Sequence, residues 1–70
     1  MNINDIQIAV DEGLPFLIRM ADGEKYEVTD RRKIALGKTR VVVIDKEDLA
    51  HVLPLLTITG ISYLKPKSQK

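Results

Sequence analysis

The chain has 70 residues, 44% of them apolar and 30% charged, with four glycines, three prolines and no cysteine. That length allows one domain, near the lower limit at which a core folds unaided, and the composition excludes disordered, collagenous and low-complexity classes. Eleven basic against ten acidic residues leave a formal charge of +1, too balanced to demand a nucleic acid or an anionic membrane as partner. Without cysteine there is neither a disulfide framework nor a thiolate metal site.

The opening residues Met1-Asn2-Ile3-Asn4-Asp5 are polar and acidic rather than basic and apolar, so no export signal is read there. The longest apolar stretch, Val52-Leu53-Pro54-Leu55-Leu56, is five residues, whereas a spanning helix needs about 20. A cytoplasmic protein with no membrane partner is expected. Asn4 and Gln7 have capping-box spacing, flanked by Ile3 and Ile8 as a hydrophobic staple, and Gly13 followed by Leu14-Pro15 supplies a stop. A short helix over Asp5 to Glu12 follows. Its apolar side chains Ile6, Ala9 and Val10 fall on one face, and a helix this short needs a sheet beneath it to be stable.

Phe16, Ile18 and Met20 alternate with Leu17 and Arg19, and Tyr26 and Val28 flank Glu27, so two strands are expected around Ala21-Asp22-Gly23. A two-residue Asp22-Gly23 turn would set Ile18 against Glu27. A three-residue loop, with a type I turn and Gly23 left-handed, pairs Ile18 with Tyr26 and Phe16 with Val28 instead, and burial of one face selects that register. The polar segment Thr29 to Lys33 leads to a brief strand at Ile34 and Leu36, ended by Gly37-Lys38. Val41 to Ile44, within a strand from Arg40 to Asp45, is β-branched and apolar on both faces, the pattern of a central strand. Lys46-Glu47-Asp48 closes a hairpin onto Leu49 to Leu53; Pro54 marks a break or an edge. Thr57 to Leu64 is the last strand, with Gly60 at a bend or bulge.

These elements define an α+β fold, a short N-terminal helix packed on a strongly bent antiparallel sheet or small barrel of about five strands. Residues 1–64 form the single domain, and 65–70, with three lysines and no apolar side chain, a disordered basic tail. The run Asp11-Glu12-Gly13-Leu14-Pro15-Phe16, the Arg19-Met20-Ala21-Asp22-Gly23 hairpin, the Val41-Val42-Val43 strand and Leu55-Leu56-Thr57-Ile58-Thr59 resemble a group of short uncharacterised bacterial proteins, over most of residues 3 to 64. That resemblance implies no activity. The order of helix, Asp22-Gly23 hairpin and closing apolar strand is also similar, as a pattern, to Sm-like RNA-binding proteins. Those proteins hold RNA bases with polar and aromatic residues around a ring pore, and no residue here is assigned to such a role.

Catalytic and metal chemistry find few candidates. His51 is the only histidine, with no cysteine or second histidine near it, and reads as a strand residue facing solvent or a subunit. Asp45, Glu47 and Asp48 sit in a hairpin with Lys46 among them and lack the spacing of a calcium loop. The serines, Ser62 and Ser68, have no nucleophile motif around them, and the separated glycines form no phosphate loop. No enzyme, cofactor or metal is predicted. The richest feature is basic: Arg31, Arg32, Lys33, Lys38 and Arg40 lie within ten positions without an intervening acid, a strip able to contact phosphates or another anion. Apolar surface also exceeds what one short helix covers, which predicts a homo-oligomer, by symmetry a dimer, with an interface at Val41, Val43, Ile58, Ile61 and Tyr63. The leading functional expectation is therefore a non-enzymatic interaction module that self-associates through β-strands; the alternative is a Sm-like nucleic-acid-binding oligomer using the 31–40 strip.

Overall fold

The computed structural model of the protein describes residues 2–64; the expected tail at 65–70 lies outside the described residues. One helix, α1 (Ile3–Glu12), precedes six strands, β1 (Phe16–Met20), β2 (Lys25–Val28), β3 (Ile34–Leu36), β4 (Arg40–Ile44), β5 (Ala50–Pro54) and β6 (Ile58–Tyr63). They form an α+β fold with two three-stranded antiparallel sheets, ordered β2-β1-β6 and β3-β4-β5. Against the expected strongly bent sheet or small barrel of about five strands, there are six strands in two sheets. Two single-turn 3₁₀ segments, Arg31–Lys33 between β2 and β3 and Leu55–Thr57 between β5 and β6, lie where the sequence predicts a polar turn and a break after Pro54.

Helix α1 begins two residues before the expected start. Asn2, not Asn4, is the N-cap: its side chain accepts the Asn4 N–H at 2.9 Å, meeting one of the donors a helix start leaves unpaired. Gln7 turns away from the cap and donates to Asp11 at 2.9 Å, and Ile8 is 52% exposed, so no staple forms. The stop is as expected: Gly13 has φ 71°, and its N–H reaches the Val10 carbonyl. Ile6 and Ala9 are fully buried, and Val10 packs partly beside them.

The β1–β2 hairpin has the predicted register, Ile18 opposite Tyr26 and Phe16 opposite Val28. Its Ala21-Asp22-Gly23 loop is closed by Met20 and Glu24, and Gly23 has φ 92°. The β4–β5 hairpin repeats the design. Its loop is Lys46-Glu47-Asp48, closed by Asp45 and Leu49, and Asp48 takes the left-handed place with φ 66°. On the other side of β1, strand β6 pairs Phe16 with Tyr63 and Ile18 with Ile61, then slips by one residue between Arg19–Gly60 and Met20–Ile58. The slip is a bulge at Thr59, beside the expected Gly60. Thr59 Oγ1 donates to the Arg19 carbonyl across it.

The core draws on every layer: Ile6 and Ala9 from α1, Phe16, Ile18, Val28 and Ile58 from the first sheet, Val41, Val43 and Leu53 from the second. Each large apolar side chain so buried contributes about 1.5–3 kcal/mol. Strand β4 is central, as predicted, though only within its own sheet. Val41 and Val43 point inward and are buried, while Val42 and Ile44 on the opposite face are half-buried. No helix among the described residues is long and apolar enough to cross a membrane.

Candidate functional site

Period-two alternation gives each sheet an inner and an outer face, and the two outer faces differ in chemistry. In the first sheet, Phe16, Ile18 and Val28 fill the inner face. The alternate positions set Leu17 between Glu27 and Ser62, and Arg19 between Lys25 and Gly60. That is the polar, wet face expected of a half-covered antiparallel sheet. In the second sheet the inner face holds Val41, Val43 and Leu53. The outer one carries a lateral row Ala35–Val42–Val52, then Ile44 opposite Ala50, with Arg40 opposite Pro54 at its end. Val52 is 57% exposed there, and β5 is bracketed by Leu49 and by Leu56, which is 95% exposed. In this row Val52, Ala35 and Ala50 are exposed and Val42 and Ile44 half-buried, so the face is apolar throughout and partly open to solvent.

The interface residues expected from the sequence are redistributed by this geometry. Val41, Val43 and Ile58 are 0%, 1% and 3% exposed in the chain's own core, so they are corrected to core residues with no surface to offer a partner. Ile61 packs against that core, and Tyr63 is half exposed. Glu12, at the end of α1, faces Tyr63 and raises its phenol pKa by accepting a hydrogen bond. On the opposite face of the central hairpin stand Val42, half-buried, and Val52, exposed, because burying one face of a strand turns the alternate residues to the other.

The first three residues of the basic strip have different surroundings. Asp30 caps the 3₁₀ turn by accepting the Arg32 N–H at 2.9 Å and also holds the Arg32 guanidinium, with Nη2 at 2.9 Å. This lowers the Asp30 pKa to about 2, the side-chain bond from Arg32 being the main cause. Arg31 lines a small 180 Å³ hollow with Ala9, Leu14 and Phe16 beside the end of α1. Lys33 lines a different cleft, described next, and Lys38 and Arg40 lie beyond β3 at the turn into β4.

A second constellation was not anticipated. His51 donates from Nε2 to Asp45 Oδ2 at 2.7 Å, and the two side chains are about one-third exposed. Asp45 Oδ1 also accepts the N–H groups of Glu47 at 2.9 Å and Leu49 at 3.0 Å, and these bonds, led by that from His51, hold its carboxyl below the usual range. The His51 ring packs on Tyr26 of the other sheet, centroids 5.1 Å apart and planes tilted by 47°. The signal was present in the sequence: His51 pairs with Val43, so Asp45, two residues on, shares its face as a diagonal neighbour. Around this group lies an open cleft of 430 Å³, lined by Lys25, Tyr26, Glu27 and Thr29, by Lys33, and by Val43 to Lys46 with His51. No group of three or more potential metal-binding side chains is assembled among the described residues.

Comparison of the chain with protein-family models, with curated proteins and with solved structures finds no match. What defines the molecule is thus its own geometry: a small α+β domain with one apolar outer sheet face and one charged cleft.

Proposed function

We propose that the protein is a small non-enzymatic interaction module that forms a homodimer by packing the outer faces of two β3-β4-β5 sheets. The observation that carries this reading is the contrast between the outer faces. The same chain makes one polar, with Arg19, Lys25 and Glu27, and leaves the other apolar, with Ala35, Val42, Ile44, Ala50 and Val52. A two-fold interface opposes a patch to itself, which suits a row free of charge, since no like-charged pair is brought together at its centre. A second copy is also the partner that a chain of this size, without disulfides, can use to add buried area. Within each copy we read the two sheets as halves of one small barrel. The single core fed by both sheets supports that closure. A nucleic-acid oligomer built on the 31–40 strip has less support, because Arg31 and Lys33 line different hollows and Arg32 is engaged by Asp30.

Sedimentation velocity from low to high micromolar concentration tests the reading. The protein should show a concentration-dependent dimer, and Val52→Lys, on an edge strand and already exposed, should leave the fold intact by circular dichroism while shifting the population to monomer. A monomer throughout, or a dimer indifferent to Val52→Lys, would overturn it. Titration with single-stranded RNA at two salt concentrations addresses the other reading: steeply salt-dependent binding would favour it.

A further inference from the structure

We propose that β5 pairs edge to edge, antiparallel, with β5 of a second copy about a two-fold axis at His51. β5 ends its sheet, with β4 on one side only. Bonds at the two ends of the ladder, from the Asp45 N–H to the Leu49 carbonyl and from the Leu55 N–H to the Thr39 carbonyl, fix its phase. Hydrogen-bonded residues of an antiparallel pair recur at every second position, so His51 and Leu53 bond to Val43 and Val41, and the N–H and C=O groups of Ala50 and Val52 point away from β4. Neither backbone has another hydrogen bond among the described residues, and both residues are exposed. Pro54, next in the outward series, has no N–H to leave unpaired.

The other sheet edges are blunted and this one is not. Counting in the same way from the bond between the Met20 N–H and the Glu24 carbonyl turns the backbone of Lys25 and Glu27 outward on β2, so that edge carries charges of both signs. β3 is three residues long, between Lys33 and Gly37-Lys38, and β6 is interrupted by its bulge. Charge, shortness and bulges all discourage an edge from pairing. β5 has no Asp, Glu, Lys or Arg and an unbroken register. Its outward groups also match their own copies. With His51 opposite the partner's His51, Ala50 stands opposite the partner's Val52, and every outward N–H meets an outward C=O. A register centred on Val52 would instead set Ala50 against Pro54, which has no donor and whose carbonyl already accepts from Thr57 Oγ1 at 2.7 Å. The axis of edge pairing is normal to the sheet, whereas that of the face-packed dimer lies between two sheets. Perpendicular two-folds that cross close into an assembly of D2 symmetry, in which both contacts are made at once. That assembly rests on the dimer proposed above; the edge contact by itself does not.

Amide hydrogen exchange and sedimentation velocity of the full chain test the contact. In the assembled protein the Ala50 and Val52 amides should exchange at least about tenfold more slowly, relative to their intrinsic rates, than those of Lys25 and Glu27, the corresponding outward amides of β2, and the difference should vanish on dilution. Ala50→Pro removes an outward donor without touching the β4 ladder or charging the outer face. It should weaken edge association about tenfold, the scale of one or two lost hydrogen bonds, and leave a face-packed dimer. Val52→Lys should do the reverse, leaving an edge-paired dimer in which the Ala50 amide stays protected. The two readings therefore fail separately. Association lost in Ala50→Pro and indifferent to Val52→Lys would remove face packing and keep the edge contact. Ala50 and Val52 amides that exchange like those of Lys25 and Glu27 in the assembled parent protein would overturn the edge contact, whether or not Ala50→Pro folds. So would a monomer at all concentrations, assembly undiminished in a folded Ala50→Pro protein, or matching protection at Ile61 and Tyr63, which would mean head-to-tail pairing with β6.

Discussion

The two hairpins use the same three-residue loop with different residues in the left-handed position, and exchanging those residues isolates the cost of that conformation. Gly23 sits at φ 92° and Asp48 at φ 66°. A non-glycine residue there costs roughly 1–2 kcal/mol, offset by about 0.4–1 kcal/mol because glycine leaves the unfolded chain freer. Asp48→Gly should therefore stabilise the domain by about 0.5–1 kcal/mol, and Gly23→Ala should destabilise it by a similar amount. An added Cβ at Gly23 has no heavy atom within 4 Å, so the loss there is one of backbone conformation and not of packing. In a domain of this size each kcal/mol moves the melting temperature by about 4–8 °C, well within reach of thermal circular dichroism and urea titration. Asp48 lies near Asp45 and Glu47, so part of any gain could come from relieved charge repulsion. Asp48→Ala removes the charge but keeps the Cβ without the local hydrogen bonding that lets Asp and Asn tolerate positive φ, and should not stabilise the domain. Equal stabilisation by Ala and Gly at position 48, or a Gly23→Ala protein as stable as the parent, would refute the assignment of the cost to the backbone.

Asn2→Ala should lower stability by about 1 kcal/mol through loss of the cap, while Asn4→Ala should be nearly silent; a urea midpoint series distinguishes the two asparagines. Gly60→Ala would place a Cβ 2.7 Å from Arg19 Nη2, so it should displace the guanidinium from Ser62, to whose hydroxyl Arg19 Nη1 donates, and cost no more than about 1 kcal/mol because the arginine end can move. The loss should shrink when Arg19→Ala is made in the same chain, a non-additivity read from a double-mutant cycle. Asp30 titrates at about 2 against an ordinary 3.8. A depressed carboxyl pKa stabilises the fold above the ordinary value, and that contribution disappears as pH falls from about 4 to about 2. The stability difference between the parent and Asp30→Asn should narrow over that interval at low salt and be smaller throughout at high salt; an unchanging difference would count against the Asp30–Arg32 pair.

Much of the local structure was readable because single physical rules decided it. The β1–β2 register follows from placing Phe16, Ile18, Tyr26 and Val28 on one face, and the end of α1 from a glycine that tolerates positive φ. The division into two sheets was not readable. The 3₁₀ turns at Arg31–Lys33 and Leu55–Thr57 carry little periodicity of their own, and Leu55-Leu56 reads as more strand when only hydropathy is consulted. The cap was ambiguous because Asn2 and Asn4 both meet its chemical requirement, and the Gln7 side chain that would decide between them is drawn to Asp11. For the candidate sites, charge counted along the chain was a poor guide to charge in space. Within the strip, Arg31 and Lys33 stand two residues apart yet line different hollows, and Arg32 between them is held by Asp30.

The same alternation that misassigned the interface explains how one short strand serves two surfaces. On β4 and β5, burying Val41, Val43 and Leu53 forces Val42 and Val52 outward, so a strong core in so thin a sheet necessarily produces an equally regular outer row. Evolution can make that row polar at no cost to the core, as the first sheet shows with Arg19, Lys25 and Glu27. An apolar outer row is the surface that the proposed homodimer would use. On β5 the inward series continues past buried Leu53 to His51, which is half-buried, and a polar side chain is admissible there if it has a partner. Asp45 meets that requirement and Tyr26 carries the contact across to the other sheet. His51 is thus the point at which the interior of the fold opens into the charged cleft, and its neighbour Val52 faces the surface assigned to a second copy. A one-residue shift in the β4–β5 register would exchange the two, and the Asp45 bonds to Glu47, Leu49 and His51 tie the loop against that shift.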